Sequence, residues 1–125
     1  MIKAINFYAE AKELFAPAAS EARRRTLASR AYYAGYHFLL ERGVVPTNEE
    51  EKETKSIHPN AGSHQRYLRW MGNSSNAQFR RAAVLLGQVY QHRIKADYWP
   101  SNTLTSEEAK DAMAVLEELI EETFI

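Results

Sequence analysis

Thr105-Ser106-Glu107-Glu108-Ala109-Lys110-Asp111-Ala112-Met113-Ala114-Val115-Leu116-Glu117-Glu118-Leu119-Ile120 is the stretch whose reading decides the fold. Thr105 followed three residues later by Glu108 is a capping box, in which hydroxyl and carboxylate each take one of the orphan N–H groups at a helix start. Ala109, Ala112, Met113, Leu116, Leu119 and Ile120 then recur at three- and four-residue steps, a single apolar stripe on a helical surface. Such a stripe is stable only when other elements cover it.

Working back along the chain, a helix running to about Tyr98 turns Phe79, Ala82, Ala83, Leu86, Val89 and Tyr90 inward, and Pro100 ends it. The turn Asn73-Ser74-Ser75-Asn76 supplies its cap. Ser63 caps a shorter helix with Tyr67, Leu68 and Met71, stopped by Gly72. A long helix begins after Ser20 and closes at Arg42-Gly43; its apolar positions are Leu27, Ala31, Ala34, Phe38 and Leu39, and Ala28, Ala31, Ala34 and Gly35 allow a neighbour to approach closely. The first helix spans residues 2–15, with Ile2, Ile5, Ala9 and Phe15 near one face and Pro17 at its end. Between Gly43 and Gly62, Pro46, Asn48, the run Glu49-Glu50-Glu51 and Pro59-Asn60 predict a flexible loop. No stretch alternates with period two. The expected fold is all-α: one domain over residues 1–125, an up-and-down bundle of four to five helices with a flexible loop around 43–62.

The chain has 125 residues, 45% of them hydrophobic, enough for a single core. The absence of cysteine excludes a disulfide framework and thiolate metal sites. No apolar run has signal-peptide or membrane-span length, so a cytoplasmic protein with no membrane partner is expected. Sixteen basic and sixteen acidic residues cancel, which argues against gripping long nucleic acid through many phosphates. Uneven placement offsets this. Arg23, Arg24, Arg25 and Arg30 crowd one stretch, and acids gather at 49–53 and 107–122. No glycine-rich phosphate cradle, nucleophile elbow or metal-ligand helix motif occurs, and His58 and His64, six apart with no carboxylate at ligand spacing, make a poor zinc pair. No metal and no cofactor is expected.

Two short stretches carry possible chemistry. In Ser29-Arg30-Ala31-Tyr32-Tyr33-Ala34-Gly35-Tyr36-His37, Arg30 and His37 lie nearly two turns apart on one helix face, about 10 Å along the axis. An arginine clamps a phosphate in two places and a histidine moves protons near neutral pH, the minimum set for metal-free cleavage of an RNA phosphodiester. The structural alternative pairs Arg30 with an acid such as Asp97 and leaves His37 a core or interface histidine. Tyr32, Tyr33 and Tyr36 stack on a base, or serve as core residues whose hydroxyls find partners. In Gln91-His92-Arg93-Ile94-Lys95-Ala96-Asp97-Tyr98, Arg93 and Asp97 are four apart and pair on one face, beside Tyr98. His92 reads as an exposed helical residue, and Trp70 and Trp99 as anchors at a bundle end or interface.

Ser29-Arg30-Ala31-Tyr32-Tyr33 with His37, followed some 60 residues on by Arg93-x-x-Ala96-Asp97-Tyr98, resembles the HEPN superfamily, the higher eukaryotes and prokaryotes nucleotide-binding domain. The resemblance covers most of the chain. It implies a helical bundle, often a homodimer, acting either as a module that binds a nucleotide, RNA or a partner protein, or as a metal-independent ribonuclease of the kind found in toxin–antitoxin and defence systems. A partner of nucleotidyltransferase type acting as antitoxin is implied for the first. For the second, Arg30 and His37 are the implied catalytic pair, with Tyr33, Arg93, Asp97 and Tyr98 completing the groove. One departure stands out: family nucleases commonly carry their Arg–His pair late in the bundle, where this chain has Arg93 followed by Tyr98.

Overall fold

A computed structural model describes residues 3–16 and 19–122. Ile2 and Pro17, read above as part of the first helix and its end, lie outside the described residues. Among those described, the chain forms α1 (Ala4–Leu14), α2 (Glu21–Glu41), α3 (Asn48–Ile57), α4 (Ser63–Gly72), α5 (Ala77–Tyr98) and α6 (Ser106–Glu122), with no strand. The fold is an all-α bundle, of six helices rather than four to five.

The local signals act where they stand. The capping box before α6 is formed: Glu108 N–H donates to Thr105 Oγ1 at 3.1 Å and Thr105 N–H to Glu108 Oε1 at 3.0 Å. Ser20 caps α2 by accepting from Arg23 N–H. At its other end Gly43 takes φ +79°, a left-handed value that suits glycine. There Val44 N–H reaches back to the Leu39 carbonyl and Gly43 N–H to that of Leu40, the paired bonds that close a helix.

α2 lies at the centre, packed on α1, α5 and α6. Leu27, Ala31, Ala34, Phe38 and Leu39 are all buried, as are Leu85, Leu86 and Val89 of α5 and Met113, Leu116 and Leu119 of α6. Gly35 permits this three-way approach. A Cβ there would sit 2.9 Å from Leu86 Cδ1 and 3.0 Å from Leu119 Cδ2.

Three expectations are corrected. Within 43–62, residues Asn48–Ile57 form α3, capped by Thr47 and Glu50, which exchange bonds of 3.1 and 3.0 Å. It buries no residue, so it has no apolar stripe to reveal it, and the acidic run that resembles a loop suits a first helical turn. On α1 the inner face is Ala4, Phe7, Tyr8, Ala11 and Leu14. Ile5 is 64% exposed and Phe15 43%, with Ala9 exposed as well. Finally, Ser63 is the first residue of α4 rather than its cap.

The basic cluster after Ser20 has structural work. Arg25 donates from Nη1 to the carbonyls of Lys95 and Ala96 at 3.1 and 2.9 Å, and from Nη2 to Glu21 and the Asn102 carbonyl. Arg24 Nε donates to the Leu104 carbonyl at 2.8 Å. The Ala96 carbonyl near the end of α5 is thus capped by a side chain from α2, and that of Lys95, which already accepts from Trp99 N–H, gains a second donor. Arg25→Ala is expected to lower stability by about 1–3 kcal/mol, and Gly35→Val by about as much through overpacking; thermal melts followed by circular dichroism check both.

Candidate functional site

Where α2 crosses α4 and α5, aromatic rings gather around one guanidinium. Arg93, on the inward face of α5, is only 9% exposed. Its charge is met by Asp97 one turn on, with Nε donating to Oδ2 at 3.1 Å, and its Nη2 donates to the Tyr33 hydroxyl at 3.3 Å. The guanidinium carbon lies 5.4, 5.2 and 5.9 Å from the ring centres of Tyr32, Tyr33 and Tyr98, a cation held against π-faces. A buried arginine needs this many partners to offset its lost hydration.

His64 on α4 completes the group. Its Nδ1 lies 2.6 Å from the Tyr32 hydroxyl, and its ring packs edge-on against Tyr32, Tyr33 and Tyr36 at 5.2, 6.0 and 4.9 Å. Tyr32 is fully buried, which pushes its pKa up and keeps it a phenol. A buried phenol must donate, and His64 Nδ1 is the acceptor it meets. Burial, then Arg93, then His37 lower the pKa of His64, so its ring is neutral at pH 7 and carries its proton on Nε2.

His37 stacks on Phe7 of α1 at 5.0 Å and 16° and lies 6.4 Å from the Tyr33 ring. Among the described residues, no buried side-chain nitrogen or oxygen lacks a partner. The nitrogens here that make no hydrogen bond, namely Arg93 Nη1, His64 Nε2 and those of His37, therefore reach solvent. Two of the three positions are fixed N–H donors. Such a set offers protons to an anion.

Of the residues singled out in the sequence, Tyr33, Arg93, Asp97 and Tyr98 come together and His37 joins their edge. Arg30 does not. Its Nε pairs with Glu10 Oε2 of α1 at 2.9 Å, so the acid it meets is Glu10 and not Asp97. Arg30 and His37 do both meet α1, as their spacing requires. The spacing of His64 to His58 carries no sign of this role; its helical spacing to Tyr67, which places both on one face of α4, is the signal the sequence holds. His92 is paired, Nε2 to Asp111 Oδ2 of α6 at 2.7 Å, with its side chain 16% exposed, rather than an exposed helical residue.

Among the described residues, no group of three or more histidines, cysteines and carboxylates is placed to hold a metal ion, and no helix is long and apolar enough to cross a membrane. A groove of about 330 Å³ between α1, α2 and α6 shares no residue with the Arg93 cluster, and the carboxylates of Glu41, Glu117 and Glu121 outnumber its one cation, Arg42, which disfavours an anion. Compared with known families, curated proteins and solved structures, the chain has no match.

The lowered pKa of His64 has a consequence for stability. Unfolded histidine binds protons near pH 6.5 while the folded ring resists them, so the unfolded state holds more protons and stability falls as pH drops through 6.5. The carboxylates Glu21, Glu50 and Glu108, whose pKa values are lowered, lose their contributions only below about pH 4.5. Denaturant midpoints at pH 7.5 and 5.5 should therefore differ in the native chain, and His64→Gln should shrink that difference.

Proposed function

We propose that this chain is a HEPN-like module that binds the phosphate of a nucleotide or of RNA at the Arg93–His64–His37 cluster. The supporting observation is the geometry of His64: its Nδ1 lies 2.6 Å from the Tyr32 hydroxyl, which as a buried phenol donates to it, and its unbonded Nε2 reaches solvent within the electrostatic reach of buried Arg93. A histidine so arranged donates to an anion and has no lone pair to act as base. Tyr98, 61% exposed at the end of α5, is a stacking surface beside the donors. On this reading the module is cytoplasmic, and works as a homodimer or beside a nucleotidyltransferase-type partner that acts as antitoxin.

A second reading rests on His37, whose nitrogens make no hydrogen bond among the described residues: a metal-independent ribonuclease in which Arg93, not Arg30, holds the phosphate and His37 moves the proton. One experiment separates the two. A short labelled RNA and nucleoside monophosphates are titrated in chelator, and the RNA is then run on a denaturing gel. Binding without cleavage is expected, weakened about tenfold or more by Arg93→Gln and by His64→Ala, in line with loss of a charge-assisted hydrogen bond, and little changed by Arg30→Ala. Cleavage abolished by His37→Ala would establish the nuclease instead. Binding indifferent to Arg93 and His64 would remove the phosphate site.

A further inference from the structure

Beside Tyr36, residues of α2, α3 and α4, with Val45 and Pro46, line a second, partly open pocket of about 200 Å³. Three aromatic residues line it. The Tyr36 ring stands perpendicular to Tyr67, 5.3 Å and 86°, and Tyr67 stacks on Trp70 at 5.9 Å and 30°. Tyr67 and Trp70 are anchored from behind, the first donating to the Val44 carbonyl at 2.6 Å, the second to Glu50 Oε2 at 3.1 Å. These bonds tie the two rings to the segment after α2 and to α3.

The polar lining is balanced. Glu51 of α3 supplies an acceptor, and Arg66 of α4, with Nη1 bonded to the Ala61 carbonyl, supplies a donor. A cation entering here meets Arg66 and an anion meets Glu51, so neither is favoured. The ligand that uses all of this lining is neutral, flat and aromatic, with hydrogen-bond donors and acceptors on its edge. A nucleobase has that description. The volume is below that of pockets for drug-sized ligands, in keeping with a single heterocycle. The neighbouring site is one ring away: Tyr36 lines the pocket and packs on His64 at 4.9 Å, and Ser63, the residue before His64, lines the pocket too.

We propose that the pocket walled by Tyr36, Tyr67 and Trp70 is the base subsite of the nucleotide whose phosphate is held at Arg93 and His64. This rests on the phosphate reading above, and the test is built to tell their failures apart. Calorimetric titrations with the four ribonucleoside monophosphates and with ribose 5-phosphate are run on the native chain, on Val45→Trp and Thr54→Trp, which fill the pocket from two sides, and on His64→Ala. Melting curves confirm that each variant folds; two pocket variants are used so that failure of one to fold leaves the other.

At least one nucleotide is expected to bind about tenfold tighter than ribose 5-phosphate. The pocket variants should erase that margin and leave ribose 5-phosphate binding as it was, while His64→Ala should weaken both ligands. In a Trp99→Phe background, emission from Trp70 should respond to the nucleotide and not to ribose 5-phosphate. If every nucleotide binds no better than ribose 5-phosphate, or if filling the pocket leaves the nucleotide margin intact, the base subsite is overturned and the phosphate site stands. If no ligand binds, both fall together.

Discussion

The closeness with which α5 and α6 approach α2 is the constraint on which everything else depends. Two leucine side chains already lie within 2.9 and 3.0 Å of where a Cβ on Gly35 would be, so even one methyl group presses on the contact. Ala31 and Ala34, both buried, extend the same narrow ridge. Close packing at that ridge aligns the tyrosine-bearing side of α2 with α4 and the end of α5. Side chains from three helices then meet around Arg93 at hydrogen-bonding distance.

The chemistry of the cluster follows from what burial does to each partner. Tyr32 is forced to remain a phenol and His64 to remain neutral, while the Arg93 guanidinium is paired with Asp97 one turn away. Each state fixes the next: the phenol proton selects the histidine tautomer, and the tautomer decides that the free nitrogen donates. The net result is an edge rich in N–H groups within a chain whose charges cancel. Net charge describes long-range attraction and is silent about a short-range donor set of this kind.

Much of the fold was legible because it is written in apolar spacing and in caps. The stripes of α2, α5 and α6, the hydroxyl at Ser20, the box at Thr105 and the glycine at 43 all act locally, and local signals survive tertiary context. In α1 the bulky apolar residues Ile5 and Phe15 sit one position away from the buried face. Its buried sites are the alanines at 4 and 11, whereas the bulky Ile5 faces out, so size misled where shape decides. α3 was missed because a helix that buries nothing carries no stripe. In the cluster, Arg93 and Asp97 were recognisable as neighbours on one turn. The partners of Arg30 and His64 were not, since each is met by a residue on another helix, Glu10 in one case and Tyr32 in the other.

α3 is held at its margins: Glu50 by the Trp70 indole, and His58, just past its end, by Arg69 at 3.3 Å. No side chain of the helix itself is buried. Opening it costs two side-chain bonds, of which Glu50–Trp70 is part-buried, and removes none of the leucine packing, so its amide protons belong to a shallower exchange class than those of α2 or α5. Lys52, Lys55 and Ser56, exposed on this helix and outside the lining of the aromatic pocket, are accordingly natural places in this chain to carry a fluorophore.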